Sequence, residues 1–514
     1  MMLCFGMDGV VAGVIKGTRD FTSTPQGLLS LCPSNILNRR HVSGAVKLSE
    51  TRPVSEGRQI FETNPSLWPL NQPIPKLEAL IQCAGESSYT EDIPTLPKEV
   101  FAAFVLTTVG LGTIDRIDPS RALESWNFKA YNAVTDTPSN SWCRSPGTLE
   151  NVAMAELILE RISYELNLDT FDVRLANLDT TNHSDLQEMA ETMKNNSQYT
   201  ERKAAVEKFN LDNRWKKRGL KASFLRWTPI GYTHLDVNMS VYSDDGSVAI
   251  AHAGVEMGQG INTRAAQVCA YLLKIPLEKI QIKPNDTTIG PNVFPSGGSL
   301  TSQNVSVGIR RCCEELLSRL EPVRSQMNNP TWEELIKKAY EMEIDLQVHN
   351  LVNTKDIQSY HIYGIALAEV EVDGLTGEWQ FIRADILEDT GRSVNPEIDV
   401  GQVEGAFIMG TGYWTSENLV YNPDTGELLT NRTWEYWVPQ ARDIPQDFRI
   451  YFRKRSFSND VILGAKGLWS PRIDSYVAIR LSQFGSFIAT LNLICSLYSV
   501  VHQSELGQRF GLGP

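Results

Sequence analysis

At 514 residues the chain exceeds what one ordinary hydrophobic core supports, so roughly two to four domains are expected. Its 42% hydrophobic and 21% charged content is that of a soluble globular protein. A formal charge of −13 argues against nucleic acid or an anionic membrane as a general partner.

The eight cysteines show no metal-ligand spacing and no C-x-x-C pair. That is the usage of a reduced, intracellular chain, and it argues against an iron–sulfur cluster ligated here. The opening stretch MMLCFGMDGVV lacks a basic n-region and is interrupted by Asp8, so no signal peptide is expected and the cytoplasm is the expected compartment.

In chain order, residues 1–70 are irregular, with scattered Pro, Gly and Arg and no sustained period. Residues 73–97 mix turn and strand signals, and 100–120 form an apolar, strand-rich unit. Residues 146–177 carry apolar side chains at helical spacing, with Pro146 and Gly147 near the start. Alternation over 234–253 around Asp244-Asp245-Gly246 predicts a β-hairpin. A helix over Thr263–Leu273, a short strand and a second helix beyond Gln303 follow. Residues 360–390 alternate again, broken at Asp373-Gly374. The stretch 484–501 approaches a spanning length but holds several polar residues, and reads equally as a buried helix. The fold class is therefore α+β with antiparallel strands and no short repeat.

No H-E-x-x-H, P-loop or G-x-S-x-G motif is present, which removes the common zinc-protease and α/β-hydrolase chemistries. Three glycine-rich turns remain: GVEMGQGINT (254–263), PSGGSLTS (295–302) and GQVEG (401–405). The first two lead into helix-compatible segments, where exposed backbone N–H groups and a positive dipole end suit an anionic group. Gln259 and Gln402 can each donate and accept at a ligand, and Ser299, Thr301 and Ser302 add hydroxyls. A tight turn needs glycine for its own sake, and Asp389 and Asp399 also suit caps or turns. The residues alone therefore reach an α+β protein that binds a ligand, with an anionic cofactor as one candidate.

Taken together, GVEMGQGINT, PSGGSLTS and DTGRSVNPEIDVGQVEGAFIMGTG (389–412) resemble the molybdopterin-binding region of the xanthine dehydrogenase/aldehyde oxidase family. WPLNQPIPKLEALIQCAGESSYTEDIP (68–94) is similar to the entry of that region, and NSWCRSPGTLE (140–150) resembles a loop of the animal aldehyde oxidases. The resemblance implies a pterin-bound molybdenum that hydroxylates aldehydes or N-heterocycles with water, passing electrons to 2Fe-2S and FAD groups that this chain does not bind. It places Gln259, Gly298, Ser299, Thr301, Ser302 and Gln402 at the cofactor, with Arg144 and the Gly298 backbone on the molybdenum side. It also implies a homodimer, or pairing with a full-length family member.

The domain expectations are a linker and flavin-domain remnant over 1–70, a partial hammerhead-like domain over 71–124, an incomplete molybdopterin-binding domain over 125–466 and an unrelated tail over 467–514. Two departures bear on activity. Around Leu123–Ser125 the chain passes over the segment that holds the family's G-G-x-F-G-G loop. After GAK (464–466) the family's catalytic glutamate position falls on Ser470. Two readings stay open: a molybdenum hydroxylase by descent, or a non-catalytic fragment or pseudoenzyme, whether from a truncated gene model or a splice form.

Overall fold

The computed structural model describes residues 55–87 and 148–466, apart from 229–233, 285–289, 291–295, 354–355, 357–359, 423 and 455–464. Over 148–154 it describes the helical backbone only. Arg144, Ser470 and the stretches 100–120 and 484–501 lie outside the described residues.

The chain divides into two units. The smaller comprises 1–50, 86–141 and 417–437, and its described part turns back on itself through a bridge between Tyr421 and Leu428. The larger comprises 51–85, 142–416 and 438–514 and contains both sheets.

The first sheet has the order β1-β9-β8-β7-β2, with β1 at Glu56–Ile60, β2 at Lys216–Trp227, β7 at Ile362–Asp373, β8 at Trp379–Glu388 and β9 at Asp447–Phe452. The stretch 360–390, expected to alternate with a break at Asp373-Gly374, forms the antiparallel β7–β8 pair, with the break at its turn. Its β7 strand is buried on nearly every residue, because helices cover both faces of the sheet. On one face α9 (Pro396–Thr415) sets Val403 and Phe407 against Phe381, Ile386 and Phe448. On the other, α3 (Thr170–Ala176) and α4 (Asp185–Ser197) set Phe171, Met189 and Met193 against Phe224 and Leu367.

The second sheet has the order β5-β4-β3-β6, from β3 (His234–Val241), β4 (Val248–His252), β5 (Ile280–Ile282) and β6 (Gln347–Asn353). The hairpin expected over 234–253 is β3–β4, antiparallel with Val241 opposite Val248. Alternation is visible in β3, whose buried face packs on α6 (Ile261–Leu273), α7 (Thr301–Arg324) and α8 (Trp332–Glu341), whereas β4 is buried at four of its five residues. The chain runs from β4 through α6 to a parallel β5.

Two readings need correction. Over 73–97 the described chain is helical: α1 spans Leu77–Ala84 and ends on Gly85 at φ +73, a left-handed C-cap. Within 1–70 an ordered strand, β1, pairs in parallel with β9; all its side chains are exposed, so no hydrophobic period marked it. The helix expected over 146–177 is present as α2 (Thr148–Glu165) and α3, separated at Asn167 (φ +50). Among the described residues no helix is long and apolar enough to cross a membrane.

Candidate functional site

The glycine-rich turn 254–260 joins the end of β4 to the start of α6. In a β-α-β unit this is the place where backbone donors face outward beyond the strand ends. Gly254 is required by packing: a Cβ there would lie 2.7 Å from Ile261 Cδ1, 3.0 Å from Thr301 Cγ2 and 3.1 Å from Val305 Cγ2. Its hydrogen lets the first turns of α7 close onto the β4–α6 corner. The second glycine-rich turn is thereby set beside the first, and Val255 N–H donates to Ser296 Oγ at 2.8 Å.

Within the first turn the polar groups are largely committed. Gln259 is buried; its Oε1 accepts from Met257 N at 2.6 Å and its Nε2 donates to Val255 O at 2.8 Å. The side chain braces the turn. The N–H groups at the start of α6 are also taken, by Glu256. Its Oε1 accepts from Gly258 N (2.8 Å) and Gly260 N (3.0 Å), and its Oε2 from Asn262 N (3.3 Å). Lys76 stands 3.8 Å from the same carboxylate. The donors that the sequence offers to an external anion therefore hold an internal one. Gly258 itself faces open space, with nothing within 4 Å of where a Cβ would stand.

The second turn is different. Gly298 (φ +63) and Ser299 (φ +62) are both left-handed and lead into α7, whose N-cap, Leu300, supplies no side-chain bond. Thr301 Oγ1 accepts from Gly297 N at 3.2 Å. The hydroxyls of Ser299 and Ser302 are buried and have no hydrogen-bond partner. Buried polar atoms are ordinarily paired, so these two, beside the uncapped start of a long helix, fit an anionic group better than the first turn does.

The third segment, GQVEG, is not a turn: residues 401–405 lie inside α9 (Pro396–Thr415), a continuous helix in which neither Gly401 nor Gly405 takes a left-handed φ. Asn395 caps that helix, accepting from Ile398 N at 3.2 Å. Gln402 Nε2 donates to Gly258 O at 3.1 Å, which ties α9 to the first glycine turn. Gly401 has nothing within 4 Å of an added Cβ. The structure thus brings Gln259 and the run Gly298, Ser299, Thr301 and Ser302 onto two adjoining glycine corners, with Gln402 reaching the first of them from within α9.

The corners are held by a polar face of α6. Thr263 Oγ1 accepts from Leu77 N at 2.9 Å, and Gln267 Nε2 donates to Pro69 O at 2.7 Å. Arg264 forms a buried ion pair with Asp399 of α9, and Ser393 Oγ donates to the same carboxylate. Burial pushes the Asp399 carboxyl up, offset in part by Arg264 and Ser393. Asp389 pairs with Lys466 at 2.6 Å and Arg453 at 3.4 Å. Both acids are therefore ion-pair members. Sequence reasoning does not find Glu256, Ser296 or the Arg264–Asp399 pair, since each acts through a partner distant in sequence or through a fold-back of the turn. Among the described residues no cluster of three or more His, Cys, Asp and Glu could hold a metal ion.

His252 closes β4 beneath this corner, its Nε2 3.0 Å from Asn262 Oδ1. Burial pulls its pKa down to about 4. The neutral ring is the folded form, so its stabilisation is full above about 6.5, the ordinary histidine value, and is lost as pH falls toward 4. Urea midpoints at pH 7 and pH 4.5 should fall further for the parent than for His252→Gln. Equal falls would rule out this residue as a source of acid sensitivity.

A family model described as "Molybdopterin cofactor-binding domain" matches residues 192–445. The chain is 35% identical to aldehyde oxidase 1 of Bos taurus over 366 residues, covering 66% of this chain and 27% of that protein. It is 33% identical to xanthine dehydrogenase/oxidase of Gallus gallus over 390 residues, covering 70% of this chain and 28% of the other. It thus spans between a quarter and a third of the length of these curated relatives. Among solved structures, quinoline 2-oxidoreductase from Pseudomonas putida 86 has the same fold, with a TM-score of 0.61 at 18% identity over 74% of this chain and 53% of that one. With two glycine corners set side by side, two buried hydroxyls without partners in the second, and a molybdopterin-binding family model matched across both, the chain belongs to the aldehyde oxidase/xanthine dehydrogenase family and carries its molybdopterin-binding region.

Proposed function

We propose that the two glycine corners and the adjoining Gln402 of α9 hold the pterin part of a molybdenum cofactor. The buried, unpartnered hydroxyls of Ser299 and Ser302 carry this reading. With the uncapped start of α7 they would bind the phosphate-bearing end, while Gln402 would face the polar edges of the pterin across the open space beside Gly258. Gln259 and Glu256 would hold the first turn in shape rather than touch the group. When bound, such a group supplies oxygen insertion and two-electron acceptance, the chemistry of aldehyde or N-heterocycle hydroxylation.

For this chain we favour cofactor binding without completed hydroxylation. The family's base position falls on Ser470, and a serine hydroxyl does not take up a proton as a carboxylate does. The domain division at 70, 124 and 466, a cytoplasmic setting and pairing with a second copy or a full-length relative belong to the same proposal.

The test is molybdenum and pterin content of the purified full chain, followed by aldehyde-dependent dye reduction. Retained pterin without dye reduction is expected. The double variant Ser299→Ala/Ser302→Ala should retain at least about tenfold less pterin, since hydrogen bonds to a charged group contribute about 1.5–3 kcal/mol each. The empty variant should be no less stable than the parent, because only unpaired hydroxyls are removed. Equal pterin retention would retire the assignment, and aldehyde-dependent dye reduction would retire the non-catalytic reading.

A further inference from the structure

Two glutamate and aspartate side chains on β8 share complete burial but not their surroundings. Asp385, facing α5 (Tyr199–Asp212), is clamped by Arg202 (2.6 Å), by Arg383 (2.6 and 2.8 Å) and by the Tyr451 hydroxyl (3.0 Å). Glu388, the last residue of the strand, lies on the opposite face, in the row of Ala384 and Ile386 that packs toward α9. It has no solvent exposure, and neither carboxylate oxygen has a hydrogen-bond partner.

The charged groups acting on Glu388 are two further acids. Asp399 reaches it from α9, and Asp389 follows it in the chain. The neighbouring cations are committed elsewhere: Arg264 to Asp399, and Lys466 and Arg453 to Asp389. A negative charge at Glu388 would be dry, uncompensated and beside two like charges, whereas the neutral acid requires only that its proton stay on. We propose that Glu388 is a buried proton-binding site whose proton holds the seat of α9 together. Loss of that proton sets a second carboxylate against Asp399, whose pairing with Arg264 joins α9 to α6. The pKa follows the same sense: burial first, then Asp399 and Asp389, push the carboxyl well above its ordinary range. This inference does not depend on cofactor binding.

The sign follows from linkage. A carboxyl raised in the folded state contributes stability that is full below its unfolded value, about 4.3, and is lost as pH rises toward the folded value. The experiment is urea unfolding of the full chain from pH 5 to pH 8, beside Glu388→Gln, which mimics the protonated form. Relative to the variant, the parent's unfolding constant should rise about tenfold per pH unit, the signature of one proton released on unfolding. Parallel slopes would overturn the proposal. So would a parent stabilised selectively by sodium or potassium over choline at pH 8, which would make Glu388 a cation ligand. Should Glu388→Gln fail to fold, Glu388→Met provides the non-titrating comparison, with the same slope difference expected and the same parallel result decisive against it.

Discussion

Arg264→Met is expected to lower the unfolding free energy by about 3–5 kcal/mol, the usual cost of removing one member of a buried ion pair. The guanidinium and the Asp399 carboxylate are both nearly sealed from solvent, with side-chain exposures of 9% and 4%. The methionine keeps most of the packing but leaves Asp399 to the support of the Ser393 hydroxyl, with the buried Glu388 carboxyl nearby. Replacing both partners, Arg264→Met with Asp399→Leu, should restore much of the loss, because the uncompensated charge goes with its partner. Urea unfolding of the two single variants and the double gives the coupling directly. If the double variant loses as much as the two single losses summed, the pair is not the unit that joins α6 to α9.

Gly260→Ala is expected to cost roughly 2–5 kcal/mol, from two separable sources. The N-cap of α6 sits at φ +71, where an L side chain costs about 1–2 kcal/mol. A Cβ there would also overlap Ile398 Cδ1 and lie 3.1 Å from Ile398 Cγ2, an overpacking cost of about 1–3 kcal/mol. Gly377 supplies the control: its φ is +75, and nothing lies within 4 Å of an added Cβ. Gly377→Ala should therefore show the backbone strain alone, and the difference between the variants measures how closely α9 is seated on the first glycine turn. Equal losses would mean that Ile398 gives way and that the α6–α9 junction is soft.

Legibility followed burial geometry. The β3–β4 hairpin could be read because β3 has one buried and one half-buried face, so its side chains alternate in polarity, and because Asp244-Asp245-Gly246 marks the turn. The β7–β8 hairpin could be read from its turn, although β7 is buried almost throughout. Residues 178–215 receive no element in the sequence reading, yet Leu186, Met189, Ala190 and Met193 recur at helical spacing and form the buried face of α4. The adjoining α5 buries only Tyr199 and Val206 and carried almost no such signal. The exposed strand β1 had none.

At the site, residue types and order were enough to mark two glycine corners and the polar residues within them, because close backbone approach and left-handed turns demand glycine, but GQVEG, read as a third turn, lies inside α9. Which polar groups remain available was settled only by tertiary structure. Glu256 folds back onto the donors of α6 and Gln259 closes on its own turn, whereas Ser299 and Ser302 are buried without partners. Hydrogen bonds and ion pairs saturate at contact distance, so a group's availability depends on which neighbours the fold brings within about 3 Å, and linear order does not contain that.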